Sequence, residues 1–162
     1  GLSSAAKILY LNQSAAEATN AAFNSTAPTN QVFSLGGGFA GSGTAIAYCW
    51  HSVEGYSKFG KFEGNANNDG PFIYTGFRPR MLFIKNTESA SPWCVYDGAR
   101  PGFNPSYLVG WDESTAENTS SYPIDILSNG FKLRTSNATI NSAHTWVYGA
   151  WGDVPFKYNN TF

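Results

Sequence analysis

The stretch IDILSNGFKLR (124–134) decides the class of fold. Ile124 and Ile126 alternate with Asp125, and beyond Asn129-Gly130 the apolar Phe131 and Leu133 alternate with Lys132. A period of two marks a half-buried strand, and Asn-Gly between two such runs is the strongest short hairpin signal. Toward the C-terminus the next run is TWVYGAW (145–151). Toward the N-terminus come WCVYD (93–97), MLFIKN (81–86), FIYTGF (72–77) and YSKFGKF (56–62), the last with Gly60 read as a bulge. TAIAYCWHSV (44–53), VFSL (32–35, ended by glycines 36–38) and KILYL (7–11) read the same way. SAAEATNAAF (14–23) admits a short helix, but its Asn and Thr favour a loop. Roughly ten short strands with frequent turns predict an all-β chain, an antiparallel β-sandwich or jelly-roll-like fold with aromatics between its sheets.

Composition agrees with that reading. Ser (17), Thr (12), Asn (15) and Gly (17) are abundant among 162 residues, and 16% are aromatic. Only 13% are charged, about half the usual share for a soluble domain, which argues against helical bundles and coiled coils. Ten basic and eleven acidic residues give a net charge of −1, so the chain lacks the basic footprint of a nucleic-acid or anionic-lipid binder. No apolar run reaches the length of a membrane-spanning helix, no signal peptide is visible, and the opening Gly1 suggests a processed or partial chain. Cys49 and Cys94 read as two buried thiols in preference to a disulfide.

The chain also repeats itself. LYLNQSAAEATN (9–20) matches VGWDESTAENTS (109–120), FSL (33–35) matches FKL (131–133), and TAIAYCW (44–50) matches TWVYGAW (145–151), all at offsets of 98 to 101. Residues 1–50 therefore read as a half-unit repeating the second half of a complete unit at 51–162 and contributing strands to it. Such a chain is cut from an array or closed by a leading half-unit. Strands without their natural partners leave open edges, which predicts a homo-oligomer with 1–50 at the subunit contact.

Catalytic and metal-binding patterns are sparse. His51 and His144 lie at opposite ends of the two repeated strands and read as strand-end residues. No metalloprotease, nucleophile-elbow or phosphate-loop string occurs, and no cofactor is expected. Asn65–Gly70 carries oxygen-bearing side chains but one carboxylate, Asp69, so an Asx-rich turn is the better reading than a calcium loop. Asp112, Glu113 and Glu117 fall in a polar loop. The candidate binding region is 93–111. There Trp93, Tyr96, Asp97, Arg100, Tyr107 and Trp111 combine ring faces with polar groups, as glycan sites do. The competing reading puts Trp93 and Tyr96 in the core.

YCWHSVEGYSKFG (48–60), GPFIYTGFRPRMLFIK (70–85), DILSNGFKLR (125–134) and TWVYGAWGDVPFKY (145–158) resemble a domain of unknown function common in structural proteins of marine phages. The matching motifs are Val53 to Lys58, Thr75 to Pro79 and Pro155 to Tyr158, and the likeness covers about 48–158. The segment before Pro155, Ala150 to Val154, departs from that family's usual ending. The resemblance implies a non-enzymatic virion protein in a tail fibre, spike or surface decoration, partnered by its own copies and other virion proteins. It supplies no catalytic residues. A carbohydrate-binding module that recognises a host surface glycan through 93–111 is the alternative.

Overall fold

The computed structural model describes residues 2–37, 44–100, 102–107 and 120–153. It is an all-β antiparallel sandwich. Two short strands, β1 (Lys7–Ile8) and β2 (Ala18–Thr19), pair with each other. The strands that follow are β3 (Ser57–Glu63), β4 (Phe72–Tyr74), β5 (Pro79–Asn86), β6 (Cys94–Asp97), β7 (Ile124–Leu127), β8 (Gly130–Leu133) and β9 (Thr145–Gly152). One sheet runs β3-β9-β5-β6 and the other β4-β8-β7. Strand β9 thus lies in the middle of the larger sheet, in full register with β3 from Ser57↔Trp151 to Glu63↔Thr145.

Alternation selects the facing surfaces. Phe62, Leu82, Ile84, Cys94, Tyr96, Trp146, Tyr148 and Ala150 come from the larger sheet, and Ile73, Ile124, Ile126, Phe131 and Leu133 from the smaller. The layers meet through Phe131, whose ring lies edge-on to Phe62 at 6.0 Å and to Tyr148 at 5.7 Å. The sequence reading missed two elements: β2, which lies in the 14–23 stretch read as a loop, and the single-turn helix α1 (Ala138–Asn141), whose Asn137 side chain accepts from the Thr139 N–H at 2.9 Å. That N-cap was its sequence signal. The helix drops Ile140 into the end of the core.

Several expectations need correction. The 124–134 hairpin forms, but Ser128 and Asn129 make its turn and Gly130 already belongs to β8, pairing with Leu127. Gly130 is required there because a Cβ would overlap the Ile73 carbonyl oxygen of β4. Gly60 is no bulge; it sits in unbroken register opposite Tyr148. β4 stops at Tyr74 because the Thr75 and Gly76 N–H groups turn to the Asn129 carbonyl, at 3.0 and 3.2 Å. VFSL (32–35) is not a strand, since Thr29 ties the Val32 backbone into a turn through bonds of 2.8 and 3.0 Å. KILYL contributes only Lys7 and Ile8 to a ladder. Neither cysteine is in a disulfide, but Cys49 is exposed and only Cys94 is buried.

The largest correction concerns TAIAYCWHSV, which forms no strand over 44–52, and residues 44–52 are all exposed. Its repeat equivalent, β9, fills the core with Trp146 and Tyr148; the matching positions here are Ala45 and Ala47. A strand with only small residues on that face cannot fill the space between two sheets. The segment with the large residues takes the central place. Residues 109–119 of the other repeat block, and the Pro155 to Tyr158 motif, lie outside the described residues.

The Asn-rich loop at 64–70 is a turn system built on the buried Asn141. The Asn141 amide donates to Asn65 Oδ1, the Asn67 carbonyl and the Thr135 carbonyl at 3.0, 2.9 and 2.8 Å, and its oxygen accepts from the Asn65 N–H at 2.9 Å. Asp69 pairs with Lys132 at 2.8 Å, and hydrogen bonding to that ammonium holds its carboxyl below the usual value.

Candidate functional site

Each strand of the larger sheet also has an outward face, and in this chain that face is aromatic. One cross-strand row runs Phe59↔Gly149↔Phe83↔Val95. Trp151, two residues along β9, leans over it, with its ring 5.2 Å from Phe59 and 5.0 Å from Phe83. Phe83 continues the row to Trp93 at 5.7 Å, and Trp50 meets Trp151 edge-on at 6.2 Å. Gly149 makes this closeness possible: a Cβ there would stand 2.8 Å from the Phe83 ring and 3.0 Å from that of Phe59. Large aromatic surface on the side of a sheet away from the core is surface built for a cover.

The N-terminal segment covers one end. The Trp93 indole N–H donates to the Tyr10 carbonyl at 2.9 Å, the Glu17 N–H to the Thr87 carbonyl at 2.9 Å, and the Ser91 N–H to the Ser14 carbonyl at 2.9 Å. Beneath this strap lies Lys85, an outward-facing residue of β5 with no exposed surface. Its ammonium donates to the carbonyls of Ser14 at 2.9 Å and Ser91 at 2.6 Å. Burial disfavours the charged form and brings its pKa down to about 8.

The consequence for stability has a definite sign. The folded chain releases this proton near pH 8, whereas an unfolded lysine holds it to about 10.4. Between those values the unfolded state binds more protons, so stability rises with pH. Burial raises the pKa of Tyr96 and Tyr148, so above about pH 10 only the unfolded tyrosines ionise and stability falls. Urea unfolding of the wild type should show a gain of about 2 kcal/mol from pH 7.5 to 10, and a Lys85→Gln variant should lack it. Equal slopes in the two proteins would show that Lys85 keeps an ordinary pKa.

The residues singled out in 93–111 do not form one platform. Trp93 faces outward but is only 7% exposed, held between Phe83 and the strap. Tyr96 points the other way, into the core, and its hydroxyl donates to the Tyr122 carbonyl at 2.9 Å. It is unavailable to a sugar, because a residue one position out of phase on a strand lies on the opposite face. Asp97 ends β6 on the outward side and caps a turn by accepting from the Ala99 N–H at 2.9 Å. Arg100 is exposed in the following loop, Tyr107 is half-buried, and Trp111 lies outside the described residues. The aromatic surface instead gathers Phe59, Phe83 and Trp151 with Trp50 and Trp93 from separate segments. The available signal was that aromatics occupy both parities of these strands.

His144 stands beside β9, its Nδ1 3.2 Å from the Asn86 amide, 3.2 Å from Ser142 Oγ and 3.3 Å from Ser89 Oγ. Asn86 also donates to Ser142 Oγ at 2.9 Å and accepts from the Glu88 and Ser89 N–H groups. This network fastens the loop after β5 to the start of β9. Among the described residues no group of three or more His, Cys, Asp or Glu could hold a metal ion, and no helix is long and apolar enough to cross a membrane.

A family model described as a domain of unknown function (DUF7483) matches residues 1–155. The chain belongs to the DUF7483 family. No curated protein and no solved structure matches it. The DUF7483 match runs through the strap, the exposed 44–50 segment and the sandwich alike.

Proposed function

We propose that this DUF7483 chain is a non-enzymatic structural subunit of a tailed-phage virion, placed in a tail fibre, spike or surface decoration, and that it works by assembling with its own copies and other virion proteins. The observation that carries the assembly role is the apolar surface left uncovered on residues 32–35 and 46–50. Val32 is 63% exposed, Leu35 55%, Ile46 78%, Tyr48 76% and Trp50 58%. Surface of that kind in a folded chain marks an interaction site. The phage setting is supported by the likeness of 48–158 to a domain of phage structural proteins. A well-packed sandwich with an aromatic core suits a particle component that must persist outside a cell. Mass spectrometry of purified phage particles that encode the chain tests the reading. The chain should be present in fixed copy number, and its absence from intact particles would sink the proposal.

The second reading is a receptor module for a host surface glycan. The exposed indole of Trp50, packed against Trp151 on the outward sheet face, favours it, since sugars stack on the faces of such rings. A glycan array separates the two readings: binding lost on Trp50→Ala supports the module, and no signal above background rejects it.

A further inference from the structure

The segment TAIAYCW (44–50) is the part of the molecule that the fold uses least. It repeats the sequence of β9, a strand paired on both edges, yet it belongs to no ladder and all seven residues are exposed. Two of the sandwich's sheet edges are defended. Asn104 covers β7 by pairing its side-chain amide with both the N–H and the carbonyl of Ile126, at 2.9 and 3.0 Å. The β3 edge carries Lys58, Lys61 and Glu63, and charge on an edge strand discourages pairing. Around 44–50 no such defence exists, because the sequence has no Asp, Glu, Lys or Arg between Glu17 and Glu54.

We infer that residues 44–50 are a self-pairing strand, and that two copies of the chain join by laying this segment antiparallel against itself across a two-fold axis at Ala47. This deepens the assembly role proposed above and rests on it. The occupant is a second copy for two reasons. A strand that pairs with its own copy brings two identical sets of side chains together, so charges of one sign would repel across the pair, and this uncharged segment has none. Its pattern is also self-complementary. Thr44, Ile46, Tyr48 and Trp50 share one face, and Ala45, Ala47 and Cys49 the other. Centring the pair on Ala47 puts Ile46 of one copy opposite Tyr48 of the other and Thr44 opposite Trp50, using all seven residues. A slip of one residue would set the large face against the small one.

The geometry supplies its own test. Residues directly opposite in an antiparallel pair have Cα atoms about 4.5–5.5 Å apart, within the range a disulfide spans. Position 47 would face its own copy at that distance. Cys49 would face Ala45 and lie about 13 Å along the strand from its twin, too far to bridge. Cys94 has no exposed surface and does not interfere. Under mild oxidation Ala47→Cys in a Cys49→Ser background should become mostly covalent dimer, while the wild type stays unlinked. By light scattering the wild type should approach twice the 17.5 kDa of one chain. Ile46→Lys, at a side chain 78% exposed and so without effect on the fold, should return it to monomer. A wild type that is monomeric at every concentration, an Ala47→Cys protein that does not cross-link, or a dimer that survives Ile46→Lys would each overturn the pairing. None of these would remove the chain from the virion, where mass spectrometry gives the separate answer.

Discussion

Asn141→Asp is expected to cost about 3–5 kcal/mol at neutral pH, the cost of a buried charge without a counter-charge. The substitution is nearly isosteric, so the whole effect is one of donors and acceptors. The Asn141 amide nitrogen faces three oxygens, those of Asn65 Oδ1, Asn67 O and Thr135 O, at 2.8 to 3.0 Å. An ionised carboxylate would place a fourth acceptor among them. Asn65 cannot relieve this by turning its amide over, because its oxygen accepts from the Asn67 N–H at 3.1 Å and its nitrogen donates to the Asp69 carbonyl at 2.9 Å. Protonation restores one donor, so the folded state should raise the pKa of the new carboxyl. The deficit relative to wild type should then shrink as pH falls toward about 4, where the unfolded carboxyl also takes up its proton. Urea unfolding of both proteins at pH 7 and pH 4.5 measures this. A difference within 1 kcal/mol at pH 7, or one that does not narrow at the lower pH, would remove Asn141 from its place as the hub of the 64–70 loop.

Trp146→Ala should be as damaging, at about 3–5 kcal/mol. Trp146 has no exposed surface, stacks on Phe62 at 6.2 Å with 10° between the planes, and donates its indole N–H to the Ser142 carbonyl at 3.1 Å. It sits on the strand held between β3 and β5, opposite Phe62 on one side and Asn86 on the other. Its removal opens a void where the two sheets and α1 converge, and close packing prevents the walls from collapsing fully. Trp146→Phe keeps most of the volume and loses the hydrogen bond, so about 1–2 kcal/mol is expected. Against a total of about 5–15 kcal/mol, the alanine variant should be partly unfolded in thermal melts while the phenylalanine variant is not. Equal melting temperatures for the two variants would mean that the indole fills no core space.

Much of the fold was legible in the sequence. Strands β3, β5 to β9 and the 124–134 hairpin follow from alternation, because a side chain's face on a strand depends only on its parity. The Asx-rich reading of 65–70 follows from residue type, since short amide side chains bond to nearby backbone. The candidate site was legible only in part. Trp93 and Asp97 do face outward, but Tyr96 has the opposite parity, and the partners of Trp93 come from β5 and from the strap near Tyr10. Contacts with that separation along the chain leave no local pattern.

The sequence by itself determined which segments are able to be strands, which face of each is apolar, and that charge is scarce. Tertiary structure alone decided which able segments are used. TAIAYCW and TWVYGAW both read as strands and resemble each other, yet only the second lies between β3 and β5. Strand propensity is a property of a few neighbouring residues, but a central place in a sandwich depends on filling a volume whose walls come from the rest of the chain. Trp146 and Tyr148 fill it; Ala45 and Ala47 do not. The same reason buries Lys85, whose alternation pointed it to solvent until residues 10–17 closed over it.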